Sequence, residues 1–190
     1  MELLLIRHGR PERVDYDPDG ANPGLTELGH RQAKAMSEYL AAEHLDAIYV
    51  SPQQRAIDTS LPLVADKSLD STIVEGIAEF DYGYPSYIPG EESGPLTNEE
   101  LTKLIADLTS DAFVSRVLDS IGGIISDHPG QKIAAVCHGG VISTVLTDLL
   151  DVNPGTYFDS HYTSVTRIKA SSNGRRSMAS FNECPWLREL

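Results

Sequence analysis

Short runs of apolar residues alternate along this chain with segments that repeat apolar positions every three to four residues. The first run, at 2–7, is rich in leucine and isoleucine, and it is too short for a stable helix. It therefore predicts a buried β-strand. The other runs also predict strands, at 46–50, 72–75, 132–137, 163–169 and 177–181.

Helical periodicity follows most of these runs. Thr26 is a suitable N-cap for a first helix whose apolar face carries Met36 and Leu40. Pro62 lies inside the second helical segment, and we expect it to kink or shorten that helix. This second segment is 53–65, and the later segments with helical periodicity are 97–108, 112–127 and 140–150.

The order of these elements predicts the fold class. Strands that alternate with helices indicate an α/β fold, here a three-layer α/β/α sandwich with a mostly parallel central sheet. The last two strands are separated only by a predicted turn at 171–174, which favours an antiparallel edge strand. A length of 190 residues suits a single domain covering 1–190.

The segment 76–95 breaks the alternation. It is an irregular stretch rich in glycine, proline and tyrosine, and it contains no lysine or arginine. Loops of this length inside compact domains are usually lids, binding loops or disordered segments. We therefore expect 76–115 to form a lid or substrate-loop insertion.

Charge and composition narrow the possible functions. The sequence has 15 Lys and Arg against 28 Asp and Glu, a net charge of −13, which argues against nucleic acid or an anionic membrane as partner. No apolar run is long enough for a membrane helix or a signal peptide, so we expect a cytoplasmic protein. The acidic loop at 15–20 resembles the start of a calcium loop but lacks the glutamate at its twelfth position. We predict no metal site and no cofactor.

Chemically useful side chains follow four of the predicted strands. Ligands bind at the carboxyl ends of the strands in open α/β sheets, so these side chains should share one cleft. Guanidinium groups bind phosphoryl oxygens, a neutral imidazole is a nucleophile, and a protonated carboxyl group can donate to a leaving group. A glycine after each histidine would let the backbone approach a phosphate. The residues concerned are Arg7, His8, Arg55, Glu79, His138 and Gly139.

Five segments, in this order and spread over nearly the whole chain, resemble the histidine phosphatase superfamily, the phosphoglycerate-mutase-like group. Three residues such as Arg-His-Gly recur by chance, whereas five spaced matches at strand ends are specific. The segments are Leu5-Ile6-Arg7-His8-Gly9, Leu25-Thr26-Glu27-Leu28-Gly29, Ser51-Pro52-Gln53-Gln54-Arg55-Ala56, Glu79-Phe80-Asp81-Tyr82-Gly83 and Val136-Cys137-His138-Gly139-Gly140-Val141.

The resemblance implies a role for each matched residue. His8 would be the nucleophile that forms a transient phosphohistidine, while Arg7 and Arg55 would bind the phosphoryl oxygens. His138 and the backbone at Gly139 would also contact the phosphate. Glu79 would protonate the leaving group and then activate water, although other carboxylates nearby remain alternatives, namely Glu75, Asp81, Glu91 and Glu92.

The first loop departs from the family pattern. Arg10 stands where members often carry Glu or Gln, and Val14 stands where Asn is common. Arg10 could reach a second anionic group of a substrate, or it could be a solvated cation. Further candidates for the substrate side are Tyr82, Tyr84, Tyr87, His161 and Asn182.

Three functions are compatible with these residues. The first is a metal-independent phosphomonoester hydrolase that takes a small phosphorylated metabolite and releases inorganic phosphate. The second is a cofactor-dependent phosphoglycerate mutase, which the lack of Lys and Arg in 76–95 disfavours. The third is a phospho-ligand binding module without catalysis. The natural substrate and the oligomeric state do not follow from the sequence.

Overall fold

The computed structural model describes residues 1–153, 156–171 and 173–189. Strands and helices alternate for most of this length, and their bounds agree with the sequence-based expectations to within a few residues. The strands are β1 (Glu2–Arg7), β2 (Ala47–Val50), β3 (Ser71–Ile73), β4 (Lys132–Cys137), β5 (Val165–Ala170) and β6 (Arg176–Glu183). The α-helices are α1 (Glu27–Tyr39), α2 (Gln54–Lys67), α3 (Asn98–Leu108), α4 (Asp111–Asp127) and α5 (Gly139–Leu150), with short 3-10 helices at Glu75–Ile77 and Pro185–Glu189.

The six strands form one sheet in the order β3-β2-β4-β1-β5-β6. The pairs β2–β3, β2–β4 and β1–β4 are parallel, whereas β1–β5 and β5–β6 are antiparallel. This confirms the mostly parallel sheet with an antiparallel edge. The predicted turn at 171–174 contains Ser172, which lies outside the described residues.

Helices cover both faces of the sheet because every central strand is apolar on both sides. Along β1, Leu3 and Leu5 pack into the cluster formed with α4 and α5, while Leu4 and Ile6 pack into the cluster formed with α1 and α2. All four side chains are fully buried. Continuous apolar strands of this kind are typical of a sheet buried on both faces.

Pro62 does not shorten α2, so the shortening that was one of its two expected effects is absent. The helix continues to Lys67, five residues beyond the proline. The proline removes one backbone donor, a defect that costs about 3 kcal/mol in a helix interior. The face that carries Ala56, Thr59 and Leu63 is buried against the sheet, and we infer that this burial offsets the cost.

The parallel strands end together at one edge of the sheet. Arg7, at the end of β1, pairs in register with Cys137 at the end of β4, and Val50 of β2 pairs with Val136. The residues that follow these strands are therefore neighbours across the edge. Two loops cover it, and they are joined by backbone hydrogen bonds between Val14 and Tyr87 in both directions (2.9 and 2.8 Å).

A charged network ties the opposite part of the sheet together. Arg167 of β5 binds Glu43, Glu2 and Glu183, and Lys132 of β4 binds Glu43 at 2.7 Å. These contacts lower the pKa of Glu43 to about 2, with the Arg167 hydrogen bond as the main cause. Glu43 therefore stays ionised in the folded protein well below the pH at which it gains a proton when unfolded.

At pH 7 we expect Glu43→Gln to lower the free energy of unfolding by about 1–2 kcal/mol, a range that allows for the partial exposure of Glu43. The melting temperature should fall by several degrees as a result. Because the folded pKa is depressed, this stabilisation is complete above about pH 4.5 and is lost as the pH falls towards 2. Melting curves of both proteins from pH 2 to 7 should converge at the acidic end. Glu38→Gln, which removes an exposed pair with Lys34, is the matched control and should have little effect. A difference in melting temperature between wild type and Glu43→Gln that did not change with pH would contradict this account.

No helix in the described ranges is long and apolar enough to cross a membrane.

Candidate active site

Five side chains from four separate segments meet at the carboxyl edge of the parallel strands. The rings of His8 and His138 lie 5.1 Å apart between centroids, and Arg55 Nε reaches His138 Nδ1 at 3.3 Å. Arg7 lies directly before His8 at the end of β1. Glu79 approaches from beyond β3 and contacts the first turn of α5. The four residues His8, Arg55, Glu79 and His138 are at most 7% exposed.

The hydrogen bond of His8 determines which ring nitrogen can react. Nδ1 lies 2.8 Å from the carbonyl oxygen of Gly9, and a carbonyl oxygen only accepts, so Nδ1 carries the proton. In the neutral ring Nε2 then bears the free electron pair. Burial lowers the pKa of His8 well below its usual value, and the cations Arg55 and Arg7 lower it further. His8 is therefore an uncharged imidazole with a nucleophilic Nε2.

His138 holds the opposite tautomer. The guanidinium of Arg55 can only donate, so His138 Nδ1 accepts its Nε–H and Nε2–H donates to Ser51 Oγ at 2.6 Å. Burial lowers the pKa of this histidine as well, with Arg55 the next largest cause. His138 is thus neutral and is oriented from both sides.

The two arginines present donors to the same space. Arg55 Nη2 binds both oxygens of Asp81, at 2.8 and 3.0 Å, and its guanidinium carbon lies 4.5 Å from the ring centroid of Tyr87. Arg7 donates to the carbonyl oxygen of Ser160. Arg7 Nε and Arg55 Nη1 are buried and have no hydrogen-bond partner within 1–153, 156–171 and 173–189. Buried guanidinium donors that lack a partner indicate an anion site.

Glu79 has a proton affinity unlike that of an ordinary glutamate. Burial and the nearby charge of Asp81 raise its pKa to about 7. Hydrogen bonds from the Gly140 amide (2.8 Å) and the Phe80 amide (3.2 Å) act in the other direction, but burial outweighs them. A carboxyl group with such a pKa can both give and take a proton near neutral pH.

Two glycines at the start of α5 permit this close packing. A Cβ on Gly140 would overlap Glu79 Oε1, and a Cβ on Gly139 would lie 2.5 Å from the hydroxyl oxygen of Tyr157. No larger residue fits either position without moving its neighbour. The glycines therefore let Glu79 and Tyr157 approach the backbone beside the two histidines.

The three tyrosines that were substrate-side candidates from the sequence differ in their contacts with the active site. Tyr87 contacts Arg55, as described above. Tyr84 packs edge-on against Phe80 and lies under the Lys103 ammonium group. Tyr82 is 49% exposed.

Arg10 and His161 bind neighbouring side chains. Arg10 pairs with Glu91 at 3.0 Å and with Glu92 at 2.9 Å. His161 Nδ1 lies 2.7 Å from Asn182 Nδ2, and both residues belong to the antiparallel side of the sheet edge. A role for either residue in substrate binding stays a prediction.

Two further residues of the site, Gln53 and Tyr162, were not singled out from the sequence. Gln53 donates to Asp81 at 2.8 Å and accepts from the Glu79 amide at 2.7 Å, so it fixes both acidic residues. Tyr162 lies 4.4 Å from the Arg7 guanidinium and 5.7 Å from the His8 ring, between centroids. Gln53 lies inside a matched segment, which could have drawn attention to it. Tyr162 follows no recognisable motif.

The arrangement is suited to phosphoryl transfer. It combines a neutral nucleophilic imidazole, cationic donors without partners and a carboxyl group that is half protonated near pH 7. The acidic and metal-binding side chains of the described ranges form no group of three or more that could hold a metal ion. The side chains at the site offer nucleophilic and acid–base chemistry.

Comparison with known proteins agrees with this geometry. A bifunctional protein of Mycobacterium tuberculosis is 28% identical over 199 residues, which cover 97% of this chain and 54% of that protein. The chain thus spans about half the length of its mycobacterial relatives. Phosphoserine phosphatase 1 of Hydrogenobacter thermophilus is 28% identical over 167 residues, covering 80% of this chain and 78% of that one.

The fold is also shared with solved structures. A phosphoserine phosphatase variant from Entamoeba histolytica, crystallised with phosphoserine, superposes with a TM-score of 0.77 at 24% sequence identity, covering 98% of each chain. The sequence model of the histidine phosphatase superfamily (branch 1) matches residues 3–183, nearly the whole length. On that match, the chain belongs to the histidine phosphatase superfamily.

Proposed function

We propose that this protein hydrolyses phosphomonoesters of small metabolites through a transient phosphohistidine on His8. The observation that carries the proposal is the tautomer of His8. Its proton lies on Nδ1, so Nε2 is free to attack at the site where buried arginine donors lack a partner. The relatives named as phosphoserine phosphatases, and the family itself, support the same reaction class.

Binding would use the cations of the site. Arg7 Nε and Arg55 Nη1 would donate to two phosphoryl oxygens, and the first amides of α5 would add the positive end of the helix dipole. These interactions strengthen as negative charge develops on the phosphoryl group, which is what lowers the barrier. Asp81 holds the other edge of Arg55, so its guanidinium plane keeps one orientation.

The first chemical step forms a bond between His8 Nε2 and phosphorus. The bond between phosphorus and the ester oxygen breaks, and protonated Glu79 gives its proton to that oxygen, so the alcohol leaves uncharged. The Nδ1–H···O=C bond to Gly9 stabilises the positive charge that the ring acquires. Glu79 ends this step as a carboxylate.

The second step returns the enzyme to its starting state. The Glu79 carboxylate takes a proton from water, whose oxygen attacks phosphorus as the bond to His8 Nε2 breaks. Inorganic phosphate leaves, Glu79 is protonated again, and the imidazole is neutral. A pKa of about 7 suits both halves of this cycle, because neither protonation state of Glu79 is strongly favoured.

Residues 76–115 are proposed to act as the cover of this site. Tyr87 lies over Arg55, and Glu91 of the same loop accepts a hydrogen bond from Tyr162 at 2.9 Å. Since His8 is only 3% exposed, a substrate reaches it only when part of this cover moves. Arg10, which pairs with Glu91 and Glu92, would hold the loop in place.

Hydrolysis is favoured over a mutase reaction by the charge of the covering loop. A mutase must hold the phosphorylated carboxylic acid while this intermediate reorients in the site. Residues 76–95 offer no cation for its carboxylate. The test is phosphate release from p-nitrophenyl phosphate in excess chelator, beside a coupled assay for 3-phosphoglycerate to 2-phosphoglycerate. We expect release with chelator present and no mutase activity. Mutase activity exceeding phosphate release would overturn the proposal.

A further inference from the structure

An apolar groove runs along α5, with one end next to the candidate active site. Helix α3 covers it with Leu101, Leu104, Ile105 and Leu108, and none of the residues of α3 is buried in the structure. The cavity has a volume of about 490 Å³, within the roughly 300–1,000 Å³ range of small-molecule sites. Leu101 and Ile105 are 46% and 40% exposed, so the apolar face of α3 is only partly covered.

The inner end of this groove adjoins the proposed general acid, although Glu79 itself does not line the groove. A Cβ on Gly140 would meet both Glu79 Oε1 and Leu108 Cδ2, the latter at 2.7 Å, so this leucine and the carboxyl group stand side by side. Tyr157, which also lines the groove, lies against Gly139 beside Arg7. Leu108 and Tyr157, which both line the groove, therefore lie next to residues of the site, so this end of the groove adjoins Glu79.

In-line displacement places the leaving group on the side of phosphorus opposite His8. The leaving oxygen must also lie within reach of Glu79, because that residue protonates it. When the cover is in place, Tyr87 lies over Arg55 and Tyr162 lies over Arg7, so these rings close the front of the site. Leu108, at the end of the groove, lies on the Glu79 side of the site, where the leaving oxygen must be.

The lining of the groove also selects by charge. Its walls carry leucine, isoleucine, valine and threonine, and no lysine or arginine lines it among the described residues. The charged residues in the lining are Asp148 and Asp151, near the end of α5 distant from Gly140. An anionic leaving group would meet repulsion and no counter-charge, whereas an alkyl chain would bury apolar surface.

We propose that this groove binds the leaving group and selects phosphomonoesters of uncharged, predominantly apolar alcohols, with Leu101, Leu104, Ile105 and Leu108 as the specificity-determining residues. The assignment rests on the proposed function, since it concerns the departing half of the same substrate. It goes further by choosing among substrates that share the phosphoryl group.

The test is the dependence of kcat/KM on chain length across the n-alkyl phosphates from ethyl to hexyl. These alcohols differ little in reactivity, so changes across the series report contacts with the alkyl chain. We expect kcat/KM to rise about two- to fourfold for each methylene that enters the groove. Replacing the end of the hexyl chain by a carboxylate should reverse most of the gain. The n-alkylphosphonates, which are not cleaved at carbon, should show the same trend in inhibition constants.

The double variant Leu101→Ser/Ile105→Ser provides the local test. Both side chains are exposed, so the change should leave folding intact and lower the hexyl-to-ethyl ratio of kcat/KM about tenfold. The ratio cancels any change in turnover that the two substrates share. The matched control is Leu61→Ser/Ile73→Ser, which removes a similarly exposed pair outside the groove (55% and 47%) and should keep the wild-type ratio.

The outcomes separate the two proposals. Ethyl phosphate turnover that depends on His8 but stays flat across the series would overturn the groove assignment and leave the phosphatase intact. A ratio unchanged in Leu101→Ser/Ile105→Ser would do the same. Absence of any turnover that depends on His8 would overturn both.

Discussion

His8→Ala is expected to lower phosphate release by about 10⁴-fold or more and to abolish the phosphoenzyme. Alanine offers no electron pair, so the reaction reverts to direct attack by water on a phosphoryl group that the arginines still bind. The wild type, quenched with denaturant during turnover of a labelled substrate, should yield an acid-labile phosphoprotein. The variant should yield none.

His161→Ala is the matched control for this prediction. It removes an exposed imidazole that binds Asn182 at the same edge of the sheet, without contact to His8 in the hydrogen bonds described above. Its kcat should stay within a few-fold of wild type. Circular dichroism and melting curves of both variants would separate loss of chemistry from loss of structure. Retention of full activity by a folded His8→Ala would refute the phosphohistidine mechanism.

Glu79→Gln should separate the two chemical steps. With an alkyl phosphate, which needs protonation of its leaving oxygen, we expect kcat to fall about 10²–10⁴-fold. With p-nitrophenyl phosphate, whose leaving group departs readily without a proton, the first step should survive while hydrolysis of the phosphohistidine slows. The stopped-flow time course should show a burst of one equivalent of p-nitrophenol per enzyme, followed by a slow steady state.

The pH profile of the wild type should carry the same signature. Since the pKa of Glu79 is raised to about 7, the group is protonated below that pH, and kcat/KM for an alkyl phosphate should fall above it. This alkaline limb should disappear in Glu79→Gln. Glu75→Gln, which changes an exposed neighbour that was an alternative acid, should keep the wild-type profile. If Glu75→Gln removed the limb instead, the acid would be misassigned.

The elements of the fold could be predicted because their causes are local. The buried run at β1 and the N-cap at Thr26 act within a few residues, and the structure confirms both. Parallel strands place their carboxyl ends at one edge whatever the loops between them do. Arg7, His8, Glu79 and His138 were therefore expected to meet, and the structure brings them together.

The continuation of α2 beyond Pro62 has the opposite origin. Proline is a local signal against a helix interior, but α2 continues to Lys67 because its other face is buried against the sheet. Local propensity is a weak prior wherever such packing is available. The proline can be read from the sequence, whereas the surface area that the neighbouring residues bury against the sheet cannot.

What the sequence determined by itself is thus the α/β order, the strand ends and the residue types that meet there. The tertiary structure alone decided the proton positions on His8 and His138, the raised pKa of Glu79 and the groove beneath α3. These depend on residues far apart along the chain, such as Arg55 and His138, 83 positions from each other. They depend equally on burial, which changes proton affinity and is set only when all layers of the fold have packed.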